Sequence, residues 1–142
     1  MQSDPGLGVR RLTAAEAARE ANLQTVRRFF TSHLTSVRRP LWAAEALFEM
    51  PFDASGPIRL EGRAAIVRES DDFCARVESH EYFDLAIHST LDPQVFWVTV
   101  QSETVDRATR TKRIMRLVNY LRLVDGEVVH RIEYFNPLAL PR

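Results

Sequence analysis

Apolar and polar positions along this chain repeat with two different periods. In the first quarter, Leu23, Val26, Phe30, Leu34 and Val37 recur at three- and four-residue steps, which predicts an amphipathic helix running to about residue 37. The run Leu12-Thr13-Ala14-Ala15-Glu16 supplies its start: the Thr13 hydroxyl can accept from the Glu16 amide while the Glu16 side chain reaches back. Arg38-Arg39-Pro40 ends it, because proline disfavours helical geometry in the residue before it. A short second helical piece is expected over residues 41–46. Residues 47–52 and 58–60 read as two short strands around the turn Asp53-Ala54-Ser55-Gly56-Pro57. Beyond the break at Gly62, residues 63–78 read as a helix with Ile66, Phe73 and Val77 on its apolar face.

From residue 82 onward the period shortens to two. Strands are predicted over residues 82–90, 95–104, 112–124 and 127–135. They are separated by Leu91-Asp92-Pro93, a charged tip from Asp106 to Arg110, and the tight turn Asp125-Gly126. Pro137 cannot donate to a ladder and closes the last strand. Helices segregated from antiparallel strands give an α+β class. The expected architecture is a conical fold: a curved antiparallel sheet wrapped on about three N-terminal helices, with a central cavity. Residues 1–11 read as a loose leader and 12–142 as one domain.

Composition narrows the function classes. Lys plus Arg number 19 and Asp plus Glu number 19, so the chain has no net field to attract nucleic acid or an anionic membrane. No apolar run approaches the roughly 20 residues that span a bilayer, and the N-terminus has no signal-peptide core. A soluble, cytoplasmic protein is the expectation. Cys74 is the only cysteine, which rules out an intrachain disulfide, and its place among Ile66, Phe73 and Val77 predicts burial. No histidine pair has metal-ligand spacing and no dinucleotide fingerprint is present, so neither a metal nor a redox cofactor is implied.

The candidate chemistry centres on Glu133. It stands in Arg131-Ile132-Glu133-Tyr134-Phe135-Asn136-Pro137, a carboxylate among aliphatic and aromatic neighbours on a central strand. Burying an ionised carboxylate is costly unless it is paired, so such a group acquires a partner or an altered acidity. The alternative is a structural carboxylate bonded to Arg131 or Arg116. His130 lies three residues away and so on the opposite face. Asp84 and His88, four apart on one strand, share a face where a carboxylate could orient an imidazole. Trp97, Thr99, Gln101 and Glu103 form one face of the long strand over 95–104 and Phe96, Val98, Val100 and Ser102 the other; parity does not say which faces inward. Arg116 and Tyr120 share a face on the next strand. Arg63 opens a helix, where a cation opposes the helix dipole and could instead bind an anionic substrate group. His33 and His80 read as helix-face and loop residues. The Arg107, Arg110, Lys112, Arg113 cluster reads as a solvated hairpin tip.

These elements, in this order, resemble the nuclear transport factor 2-like superfamily. Leu47-Phe48-Glu49-Met50-Pro51-Phe52, Gly56-Pro57 and Arg59-Leu60-Glu61-Gly62-Arg63-Ala64-Ala65-Ile66 resemble SnoaL-like members. Asp92-Pro93-Gln94-Val95-Phe96-Trp97-Val98 and Glu133-Tyr134-Phe135-Asn136-Pro137 are similar to segments of the phenazine-biosynthesis A/B proteins. The resemblance implies a homodimer through the sheets and a cavity for small cyclic organic molecules. It also implies that Glu133 is a general acid/base. One departure stands out: those proteins carry a histidine after the glycine that opens the third helix, where this chain has Arg63.

The resulting expectation is an enzyme of secondary metabolism. Glu133 would be catalytic, with Arg63, Trp97, Tyr120, Arg116 and His88 as substrate-binding candidates. The reaction would be condensation, cyclisation or isomerisation of a cyclic ketone. A steroid-isomerase-like variant would need a second acid, for which Tyr120 is the nominee. The alternative is a non-catalytic ligand-binding or scaffolding dimer of the same fold.

Overall fold

A computed structural model describes residues 8–32 and 38–138. The chain opens with α1 (Ala14–Thr31), then a single 3-10 turn (Arg39–Leu41), β1 (Trp42–Met50) and β2 (Ile58–Glu61). Next come α2 (Arg63–Arg76), β3 (Val77–Ser89), β4 (Val95–Asp106), β5 (Lys112–Val124) and β6 (Glu127–Tyr134). The capping box forms as expected: Glu16 N donates to Thr13 Oγ1 at 3.1 Å, and Thr13 N donates to Glu16 Oε2 at 2.9 Å. The expected positions Leu34 and Val37 lie outside the described residues.

The six strands form one sheet in the order β2-β1-β6-β5-β4-β3. The four strands of the second half form antiparallel ladders, as their alternation predicts. Two expectations need correction. The sheet is mixed, because β1 runs parallel to β6, with Phe48 opposite Arg131. No second helical piece runs over residues 41–46: Leu41 closes the 3-10 turn and residues 42–46 are the first half of β1. Trp42, Ala46 and Phe48 are all buried, and the ladder between β1 and β6 shifts register between Trp42 and Leu47. A buried place beside β6 outweighs the helical propensity of Ala43, Ala44 and Ala46. Among the described residues there are two α-helices and one 3-10 turn.

The sheet curves around α1 and α2. Val26, Phe29 and Phe30 of α1 are buried against Phe96, Val98, Val100, Leu117, Leu121 and Val128. Aromatic edges tie α1 to β1 and β3: Phe29 meets Trp42 at 5.2 Å and Phe30 meets Tyr82 at 5.8 Å between ring centroids. Gly62, with φ +88°, caps α2 and turns the chain out of β2. At the far end, Arg107 grips the exit of α2, donating to the carbonyls of Ala75 (3.2 Å) and Val77 (2.9 Å).

Candidate active site

The inner face of the sheet is the one that carries Phe96, Val98, Val100 and Ser102 on β4. Beyond the part filled by α1 it opens into a cavity of about 670 Å³, of the size that holds a small molecule. Exposed residues of α2 and the β4–β5 hairpin, including Arg76 and Arg113, form its rim. Phe48, Tyr82, Leu117 and Met115 line its interior.

Glu133 lies in this cavity, on β6. It shares its face with Arg131, two residues earlier. Arg131 is 3% exposed, and its Nη2 donates to Glu133 Oε2 at 2.5 Å. Its Nε donates to Asn119 Oδ1 at 2.9 Å. The guanidinium carbon also lies over the rings of Phe48, Phe29 and Phe30, at 4.7, 5.2 and 5.5 Å from their centroids. Asn119, fully buried, is the β5 residue directly opposite Glu133. The β-ladder, the amide and three aromatic rings thus fix one guanidinium, and that guanidinium fixes the carboxylate.

A second guanidinium faces the same space. Arg38 sits just before the 3-10 turn, its Nε donating to the Phe29 carbonyl at 2.7 Å. Its guanidinium carbon is 4.4 Å from the Phe29 centroid and 5.1 Å from that of Tyr82. Its Nη2 is buried with no hydrogen-bond acceptor, and it is joined in that condition by Asn119 Nδ2. Arg131 is balanced by Glu133, whereas no carboxylate pairs with Arg38 among the described residues. The interior end of the cavity therefore carries excess positive charge and an unused donor, a setting that favours an anionic group.

The other sequence candidates lie elsewhere. Trp97, Tyr120 and Arg116 belong to the outer face, and none of them lines the cavity. Trp97 is 39% exposed and packs on Tyr120 (5.5 Å) and Tyr134 (6.4 Å). His88 is exposed, opposite Trp97. The expected pairing of His88 with Asp84 fails because a bulge falls between Phe83 and Ala86, where Asp84 adopts φ +52° and accepts from Gln101 Nε2 at 2.8 Å. Arg63 also stays out of the cavity; its Nη1 reaches the Trp42 carbonyl at 3.4 Å. His130 is across the sheet from Glu133, as parity requires, with its Nε2 2.7 Å from Glu49 Oε2. Cys74, expected to be buried, is exposed at the cavity edge. On α2 it follows Phe73, which takes the inward place. Arg113, expected at a solvated hairpin tip, also borders the cavity.

Three polar or ionisable cavity residues carry no signal of their role in the sequence pattern alone. Arg38 reads only as a helix terminator, His80 as a loop residue, and Tyr82 as the start of a strand that in fact begins at Val77. The period-two relation of His80 to Tyr82 groups them on one face without saying that it is the inner one.

No protein-family profile and no curated protein sequence matches the chain. Solved structures do. A phenazine biosynthesis-related protein from Pseudomonas aeruginosa superposes with a TM-score of 0.81 at 17% identity, over 88% of this chain and 85% of that one. A proposed polyketide cyclase from Xanthomonas campestris gives a TM-score of 0.74 at 12% identity, over 84% and 93%. A nuclear transport factor 2-like protein from Burkholderia xenovorans gives 0.69 at 17% identity, over 85% and 93%. At such identities the likeness is one of fold. With α1 and α2 cupped by a curved six-stranded mixed sheet, the chain has the nuclear transport factor 2-like fold of the SnoaL-like and phenazine-biosynthesis proteins.

Proposed function

We propose that this protein is an enzyme that binds a small cyclic ketone bearing an acidic group and moves a proton on it with Glu133. The reaction class is isomerisation, cyclisation or condensation. The observation that supports this reading is that Glu133 and Arg38 line the same cavity. One carboxylate is held in place by a buried arginine, and the Nη2 of a second arginine has no acceptor. Arg38 would anchor the substrate's carboxylate through charge-assisted bonds. With Oε2 committed to Arg131, Glu133 has Oε1 to take or return a proton on carbon. Holding the ring against that oxygen contributes through proximity. The likeness of fold to a phenazine-biosynthesis protein and a proposed polyketide cyclase agrees with chemistry on cyclic ketones.

The experiment is NMR-detected exchange of the protons beside the carbonyl of an oxocyclohexane carboxylate in D₂O. Wild type should exchange them well above the buffer rate and Glu133→Gln should not. The ion pair between Glu133 and Arg131 also favours a second reading, in which the carboxylate is structural and the protein is a non-catalytic ligand-binding or scaffolding dimer. Under that reading the ligand binds wild type and Glu133→Gln equally and no exchange occurs. In either case a homodimer through the outer sheet face is our reading of the exposed rings of Trp97 and Phe52.

A further inference from the structure

Arg38 is flanked on two sides. Toward β6, it shares the Phe29 ring with Arg131, which bonds Glu133. Toward β3, it lies over Tyr82, whose ring is 4.6 Å from the imidazole of His80. His80 and Tyr82 stand opposite Thr104 and Ser102 on β4, and all four line the cavity. In the sheet, β3 and β6 are separated by β5 and β4, so only the curvature brings His80 and Glu133 onto walls of one cavity. A ligand anchored by its carboxylate at Arg38 has one of these groups on each side.

The imidazole is also held. Phe73 of α2 meets it edge-on at 5.3 Å and 90°, and Tyr82 meets it at 80°. Two rings from two elements fix its plane, as a proton-transfer group requires. Two carboxylates of the lining belong to other contacts: Asp106 accepts from Thr109, and Glu69 reaches Arg76 at 3.9 Å. An imidazole is the side chain best suited to give and take a proton near neutral pH.

Resting on the proton-transfer reading above, we propose that His80 is a second catalytic residue, which protonates the substrate carbonyl oxygen from the wall facing Glu133. Glu133 removes a proton from the carbon beside the ketone, and the C–H electron pair becomes the C=C bond of an enol. The carbonyl π pair moves onto oxygen, which takes a proton from the protonated imidazole. Glu133 ends protonated and His80 neutral. Returning the protons, at the same carbon or another, resets both groups.

The test uses the same D₂O exchange assay with an oxocyclohexane carboxylate, on wild type, Glu133→Gln, His80→Asn and Tyr82→Phe. General acid catalysis contributes about 100-fold or more, so His80→Asn should slow exchange by roughly that factor. Its thermal stabilisation by the same compound should stay at the wild-type level. The bound compound should also shift the His80 imidazole resonances of wild type. Exchange lost in Glu133→Gln but unchanged in His80→Asn overturns the role of His80 alone. So does loss in Tyr82→Phe with His80→Asn unaffected, or imidazole signals that ignore the bound compound. No exchange by wild type overturns the proton-transfer reading, and the His80 proposal with it.

Discussion

The two faces of this sheet are built from the same strands and do opposite things. On β4, Phe96 is fully buried beneath α1, while its neighbour Trp97 is 39% exposed on the far side. On β6, Glu133 faces the cavity, while His130 and Tyr134 join the outer face. Each face holds a carboxylate with a cationic or ionisable partner, Glu133 with Arg131 inside and Glu49 with His130 and Arg59 outside. The inner pair is caged by aromatic rings in a concave space. The outer group is only partly buried and lies across the sheet from the cavity. The difference shows that it is curvature, not residue type, that turns a carboxylate and its partner into a candidate site.

The comparison is broken most strongly on β4. Phe96→Ala removes a fully buried ring and should cost about 4 kcal/mol in denaturant unfolding. Trp97→Ala, one residue away, should cost only about 1 kcal/mol through its lost ring contacts. The latter should act chiefly on self-association measured by sedimentation. Equal costs would mean that the outer face is not a surface.

Next comes the caged pair. Arg131→Met leaves Glu133 and Asn119 Oδ1 without their partner in a mostly buried place, and should destabilise by about 3 kcal/mol. Adding Glu133→Gln should restore part of that loss, since an uncharged amide tolerates the site better. If the double variant is no more stable than the single, the cost lies in the lost ring packing rather than in the charge.

Smaller effects mark the periphery. Thr13→Ala removes the capping box and should cost about 1 kcal/mol by thermal unfolding, without changing ligand binding in the cavity. At the cavity rim, hydrogen bonds from the Thr109 amide and hydroxyl hold the Asp106 carboxyl below its ordinary value of 3.8. A depressed carboxylate contributes stability that is present above its unfolded value and lost as pH falls through the folded one. Asp106→Asn should therefore be less stable than wild type at neutral pH, and the gap should close as pH falls below about 4, where wild type loses the same contribution.

How much of this was legible beforehand differs between fold and site. Strand β5 was readable to the residue because its period-two pattern runs uninterrupted between two turn signals. The start of β1 was not, since Trp42, Ala43 and Ala44 carry no alternation that outweighs helical propensity until β6 lies beside them. Glu133 was legible as a carboxylate out of place in an apolar strand. Trp97, Tyr120 and Arg116 were not assignable, because parity groups residues without saying which group is inside. Asp84 shows a further limit: one bulge undid the face it was expected to share with His88. Arg38 and His80 acquire meaning only from rings on other elements, Phe29, Tyr82 and Phe73, which sequence spacing does not bring together.

The claim that the concave face is the working face can be tested directly by labelling the methionine methyl groups. Of the three methionines, Met50 and Met115 line the cavity. Titration with an oxocyclohexane carboxylate should move both cavity methyl signals while the Trp97 indole signal on the outer face stays in place. Movement of the Trp97 indole with Met50 and Met115 unchanged would place the ligand on the wrong side of the sheet and contradict the account.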